Sequence, residues 1–137
     1  MLDTYPDNVK IVYKNFPLKN HKYAKKAAIA ALAADRQGKF WEFHDLLFDH
    51  YKKPDDQKIK EIAQQLELNI EAFEKDMKNP EIGAKVQRDL RDGQKAGVRG
   101  TPTIFVNGRR LKNRTLQGFQ TLINKELVKL KISEAKK

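Results

Sequence analysis

Twelve residues, Gly97-Val98-Arg99-Gly100-Thr101-Pro102-Thr103-Ile104-Phe105-Val106-Asn107-Gly108, constrain the fold of this chain more than any other stretch. Thr103 to Val106 is an apolar run of β-branched and aromatic residues, suited to a pleated, half-buried strand. Asn107-Gly108 behind it is the strongest two-residue hairpin signal, because the tight turn that matches strand twist needs positive φ at both central positions. Residues 109–112 are therefore predicted to return antiparallel. Gly97 fits the end of a helix, and Thr101-Pro102 the step from that helix into the strand.

Helical spacing dominates the residues before this segment. Between residues 22 and 37 the alanines at 24, 27, 28, 31 and 34 keep a helical repeat, and their small side chains let another helix or a sheet approach closely. Gly38 closes that helix as a C-cap. Phe40, Phe43, Leu47, Phe48 and Tyr51 then read as one wide apolar face packed in the core, with Trp41 in the same aromatic stripe, the alternative for Trp41 being part of an apolar peptide groove, and with Glu42 and Asp45 toward solvent. Two shorter helices follow, one carrying Ile59, Ile62, Ala63 and Leu66 after Asp55 and Asp56, the other Ile70, Phe73 and Met77 after Asn69. Asn79-Pro80 opens a further helix through Ile82, Val86 and Leu90 that ends near Gly97. A last amphipathic helix runs from Leu116 to Leu130 and covers the hairpin. Near the start, residues 5–8 read as a turn and residues 10–16, Lys-Ile-Val-Tyr-Lys-Asn-Phe, as a strand closed by Pro17.

At 137 residues the chain fits one domain. Its longest apolar run, residues 27–34, falls short of the about 20 residues that span a bilayer. The first residues have neither the basic start nor the apolar centre of a secretory signal. Twenty-eight Lys and Arg against 18 Asp and Glu give a net charge of +10, but lysines are scattered over every segment. That pattern reads as a solvated basic surface rather than a specific nucleic-acid site, with Lys129, Lys131, Lys136 and Lys137 in a frayed helix end and tail.

Taken together, Tyr13-Lys14-Asn15-Phe16-Pro17-Leu18, His21 with the alanine helix behind it, Gln37-Gly38-Lys39-Phe40-Trp41-Glu42-Phe43-His44-Asp45 and Gly97 to Thr103 resemble the DsbA-like family of thiol-disulfide oxidoreductases. The resemblance covers nearly the whole chain. It implies an α/β fold, an incomplete thioredoxin-like fold with an inserted helical block, in which residues 1–18 and 97–131 are the thioredoxin-like part, 19–96 the insertion and connecting helix, and 132–137 a tail. The family opens with a central strand and a Cys-x-x-Cys at a helix start. This chain has no cysteine, and it reads as beginning in the tail of that helix, at Leu2. The central strand of the family would lie between residues 10–16 and 103–106. Its absence exposes ladder groups on both neighbours, which predicts a homodimer by edge pairing or strand exchange. The alternative is direct pairing of the two remaining strands.

In the family a cysteine thiolate attacks a substrate disulfide, and the residue before the loop proline presents its backbone to the substrate peptide. Carried over, Thr101 is the substrate contact and Pro102 a cis proline, while no catalytic residue is present. Protein or peptide substrates outside the cytoplasm, in the periplasm for the parent protein, are the implied partners. No cofactor is expected. A metal site is not expected either: His44 and His50 are six apart and point to different helix faces, and His21 caps or packs at the start of the alanine helix. The sole serine, Ser133, sits in the tail, so no serine–histidine–acid arrangement is available. A non-enzymatic peptide-binding module using Thr101-Pro102 is the competing reading. An upstream in-frame Cys-x-x-Cys separates the two.

Overall fold

Polar caps punctuate the chain where the sequence places them. The structure, a computed structural model, describes residues 2–49 and 52–135, excepting the side chains of residues 132, 133 and 135. His50, Tyr51, Lys136, Lys137 and the Ser133 side chain, all invoked above, lie outside the described residues. The elements in order are α1 (Ala24–Asp35), α2 (Phe40–Asp49), α3 (Asp56–Gln65), α4 (Ile70–Met77), α5 (Pro80–Lys95), β1 (Phe105–Val106), β2 (Arg109–Arg110) and α6 (Leu116–Ala135). Asp55 accepts from the Lys58 N–H at 3.0 Å and so caps α3. Asn69 does the same for α4 from the Ala72 N–H at 3.0 Å, and Asn79 for α5 from the Glu81 N–H at 2.9 Å. Each side chain satisfies a donor that the first helical turn leaves without a partner. Past α1, Gly38 takes φ +72°, a left-handed conformation that a Cβ would oppose.

The chain divides into two compact units, residues 14–99 and residues 1–13 with 100–137. In the helical unit α1 is central: Ala30, Ala31, Leu32, Ala33 and Ala34 are all buried, which is to say buried on every side of the helix. Alanine permits this because its short side chain lets α2, α3, α4 and α5 close in around it. Phe43, Ile62 and Val86 are the largest fully buried side chains, and Phe43 stacks on Phe73 with ring centroids 5.6 Å apart. Burying an aromatic or branched side chain of this kind stabilises by about 1.5–3 kcal/mol. His21 is exposed and its side chain does not cap α1; its backbone carbonyl accepts the Ala24 N–H at 3.1 Å instead.

The aromatic stripe on α2 is only partly core. Phe43 is buried, yet Trp41 is 48% and Phe48 62% exposed. At about 100° per residue those two rings lie some 140–200° around the helix from Phe43, so one face cannot hold them all. The expectation that Trp41 and Phe48 pack in the core is corrected accordingly.

In the smaller unit β1 pairs antiparallel with β2, Phe105 opposite Arg110 and Val106 opposite Arg109. The strands are shorter than residues 103–106 and 109–112, although the Leu111 N–H still reaches the Ile104 carbonyl at 2.8 Å. Leu111 and Ile123 are buried. Gly118 is where α6 meets the chain before it, since a Cβ there would collide with the Asn113 carbonyl. The Tyr5 hydroxyl donates to Asn124 Oδ1 at 3.0 Å, holding the initial turns on α6. Leu2 belongs to those turns, with the Tyr5 N–H on its carbonyl at 3.2 Å.

Residues 10–16 form no strand. β-propensity makes a strand only where a partner supplies the other half of the ladder, and among the described residues the sheet contains β1 and β2 alone. Ile11, Val12 and Tyr13 are exposed instead. Direct pairing of residues 10–16 with residues 103–106 is therefore not the arrangement adopted.

Candidate functional site

α5 ends at Lys95 with Ala96 as its C-cap, and Gly97 turns the chain at φ +81°. Four residues later the Thr101–Pro102 peptide bond is cis. The loop is fastened from both sides within its own unit. Thr103 Oγ1 donates to the Gly100 carbonyl at 2.7 Å, and Arg114 Nη1 donates to the Pro102 carbonyl at 3.1 Å. Arg114 stands between β2 and α6, so hairpin and loop share this clamp. A charge-assisted bond of that kind is stronger than one between neutral groups.

Thr101 and Pro102 are both exposed. The Thr101 backbone N–H and C=O have no hydrogen-bond partner among the described residues. β1 continues the line, with one edge on β2 and the other unpaired among the described residues. Main-chain groups without a partner among the described residues thus stand at Thr101 and along the open edge of β1. Chemistry beyond recognition needs a nucleophile, and the chain has no cysteine.

The electrostatics beside the hairpin are set by Glu126 of α6. Its carboxylate takes Arg109 Nε at 3.1 Å and Lys129 Nζ at 3.2 Å. The Lys129 hydrogen bond first, then the Lys129 charge, a bond from Asn107 and the Arg109 guanidinium, hold its carboxyl below the ordinary glutamate range.

Sequence reasoning passed over one buried polar pair in the helical unit. Asp89 is 4% exposed, and its Oδ2 accepts both the Asn15 N–H at 3.1 Å and Asn15 Nδ2 at 2.9 Å. Lys85 Nζ approaches the other oxygen at 3.6 Å. The signal was present: Asp89 continues the buried row of Ile82 and Val86 on α5, where an acid needs a partner. The bond fixes the residue before Phe16, whose ring lies so close to Gly93 that a Cβ there would sit 2.7 Å from it. Phe16, Pro17, Leu18, Leu90 and Val98, with Lys19, Gln94 and Arg99, line a cleft of about 270 Å³. Of the histidines, His44 packs between Phe40 and Phe48, while His21 is exposed at the head of α1.

Comparison with known proteins agrees with this arrangement. A family model described as thioredoxin matches residues 2–125. A Na(+)/H(+) antiporter NhaA 3 of Salinispora tropica is 38% identical over 104 residues, 75% of this chain but 16% of that protein. A probable disulfide bond formation protein D of Bacillus anthracis is 32% identical over 129 residues, 88% of this chain and 59% of the relative. The chain thus spans a part, not the whole, of these curated relatives. Among solved structures, a thioredoxin-like oxidoreductase from Silicibacter pomeroyi DSS-3 superposes with a TM-score of 0.79 at 30% identity, over 93% of this chain and 73% of that one. On this fold, this loop and these relatives, the chain belongs to the thioredoxin family, in its DsbA-like group of thiol-disulfide oxidoreductases.

Proposed function

We propose that this chain supplies the substrate-contact part of a DsbA-like protein disulfide oxidoreductase and carries no redox step by itself. The observation behind this reading is the Thr101-Pro102 loop, exposed, pinned by Thr103 and Arg114, and with the Thr101 main-chain groups unpaired among the described residues. In thiol-disulfide exchange a thiolate attacks one sulfur of a disulfide and the other sulfur leaves as thiolate. These 137 residues contain no group able to do either. A cysteine pair elsewhere in the polypeptide would perform the exchange, while Thr101 holds the substrate chain and Pro102 shapes the loop. The setting is extracytoplasmic, where disulfides persist, as the likeness to disulfide bond formation protein D supports. Two copies are proposed to associate by strand exchange, or by pairing along the open edge of β1 in competition with the peptide, and molar mass by light scattering over a concentration series tests that: a dimer is expected, a monomer throughout refutes it.

The second reading is a non-enzymatic peptide-binding module. The lack of cysteine favours it, as does the recurrence of a similar stretch as 16% of proteins named as antiporters. An oxidation assay on a reduced two-cysteine peptide tests the redox-silent claim directly. The chain should leave its rate at the buffer value, and turnover would overturn both readings. The gene then separates them, since an in-frame Cys-x-x-Cys upstream belongs to the oxidoreductase and its absence to the module.

A further inference from the structure

Two rows of side chains run along α2, an aromatic one exposed at its ends with the His44 side chain only 18% exposed between them, and an acidic one. Trp41, His44 and Phe48 stand at i, i+3 and i+7, and Glu42, Asp45 and Asp49 repeat that spacing one residue on, about 100° around the helix. The aromatic row is continuous: Trp41 and His44 have ring centroids 5.5 Å apart, and His44 and Phe48 4.6 Å. Its two ends are open to solvent, Trp41 at 48% and Phe48 at 62%. The acidic row is more open still, with the Asp45 side chain 77% exposed and in contact with His44 Nδ1 at 3.2 Å. Glu42 and Asp49 are exposed and make no ion pair among the described residues. α2 contains no lysine or arginine. The cations nearest to it in sequence are Lys39 before it and Lys52 and Lys53 after it, and Lys53 faces Asp55 at 3.7 Å. Phe43, fully buried on the opposite side, fixes which face looks outward.

A partly exposed tryptophan and phenylalanine on one helix are residue types that anchor interfaces. The carboxylates beside them state the charge of what comes. The three acids favour a cation, and they do so on a protein whose net charge is +10. Both rows extend over about 10 Å, two helical turns. We propose that this face of α2 docks a cationic amphipathic helix, its apolar row on Trp41 and Phe48 and its arginines or lysines on Glu42, Asp45 and Asp49.

Trp41 is the sole tryptophan of the chain, so its emission reports occupancy without a label. The probe is a synthetic amphipathic helix of leucine and arginine, with a leucine–glutamate helix as control. Overall repulsion between probe and protein works against binding anywhere but at a local acidic site. The expected result is a saturable blue shift of Trp41 emission with the arginine helix alone, weakening with added salt. Binding should be about tenfold weaker in the E42Q/D45N/D49N variant, in keeping with three exposed ion pairs. Phe48→Ala, at a site too exposed to matter for folding, should weaken it independently. No shift, an equal shift with the glutamate helix, or unaltered binding by both variants would overturn the proposal. A shift that appears with protein concentration alone would also overturn it, by making a second copy the occupant.

Discussion

Replacing Asp89 by alanine is expected to cost the helical unit about 3 kcal/mol. Two donors of Asn15 converge on Asp89 Oδ2, the backbone N–H at 3.1 Å and Nδ2 at 2.9 Å, and both residues are 4% exposed. A hydrogen bond to a charged acceptor contributes about 1.5–3 kcal/mol, and a buried donor left without partner costs its full desolvation. The two bonds share one oxygen and one partner, so they fall short of adding in full. Asp89→Asn keeps an oxygen that can accept both donors and loses only the charge and the 3.6 Å approach of Lys85, which is half exposed; its cost is about 1 kcal/mol. Urea unfolding followed by Trp41 emission measures both. With a slope of about 1–3 kcal/mol per molar urea, the alanine variant should lose roughly 1–3 M in midpoint at unchanged slope. An alanine variant within about 0.5 kcal/mol of the parent, or an asparagine variant that falls as far as alanine, would refute the reasoning.

Gly118→Ala should destabilise the smaller unit by about 2 kcal/mol, because its Cβ meets the Asn113 carbonyl, a backbone group that cannot swing aside. Thermal melting decides, and a gain near the about 1 kcal/mol of helix propensity would contradict the close approach. Gly108→Ala forces a Cβ into φ +79° beside Asn107 at φ +47° and is expected to cost about 1 kcal/mol, seen as weaker cross-strand contacts between Val106 and Arg109 by NMR; intact contacts and an unchanged melt would refute it. Glu126, its pKa lowered in the fold chiefly by Lys129, contributes stability that is present above the ordinary glutamate pKa and lost as pH falls through the lowered value. Carboxyl NMR titration should find Glu126 below the ordinary range and Lys129→Ala should move it back up, whereas no movement would assign the lowering to another group.

What was legible in the sequence was local. Asn107-Gly108 declares its turn because few residues accept positive φ in succession, and Asp55, Asn69 and Asn79 declare their helices because the first turn needs an acceptor for its donors. The loop at Thr101-Pro102 was legible from its neighbours on both sides. What failed needed a partner that one segment cannot name. Residues 10–16 have the composition of a strand, but pairing is a property of two segments. Asn15 and Asp89, 74 positions apart, are each unremarkable until the fold brings them together. Trp41 and Phe48 misled because aromatic content suggests core while the helical angle from Phe43 turns them outward.

The claim that residues 101–106 receive an extended peptide through main-chain groups is tested most directly by backbone amide shifts in the intact chain, titrated with an extended peptide. Shifts centred on Thr101, Thr103 and Phe105, and lost when alternate peptide amides are N-methylated, are the result this account predicts. Shifts that leave this segment untouched, or that survive N-methylation, would contradict it.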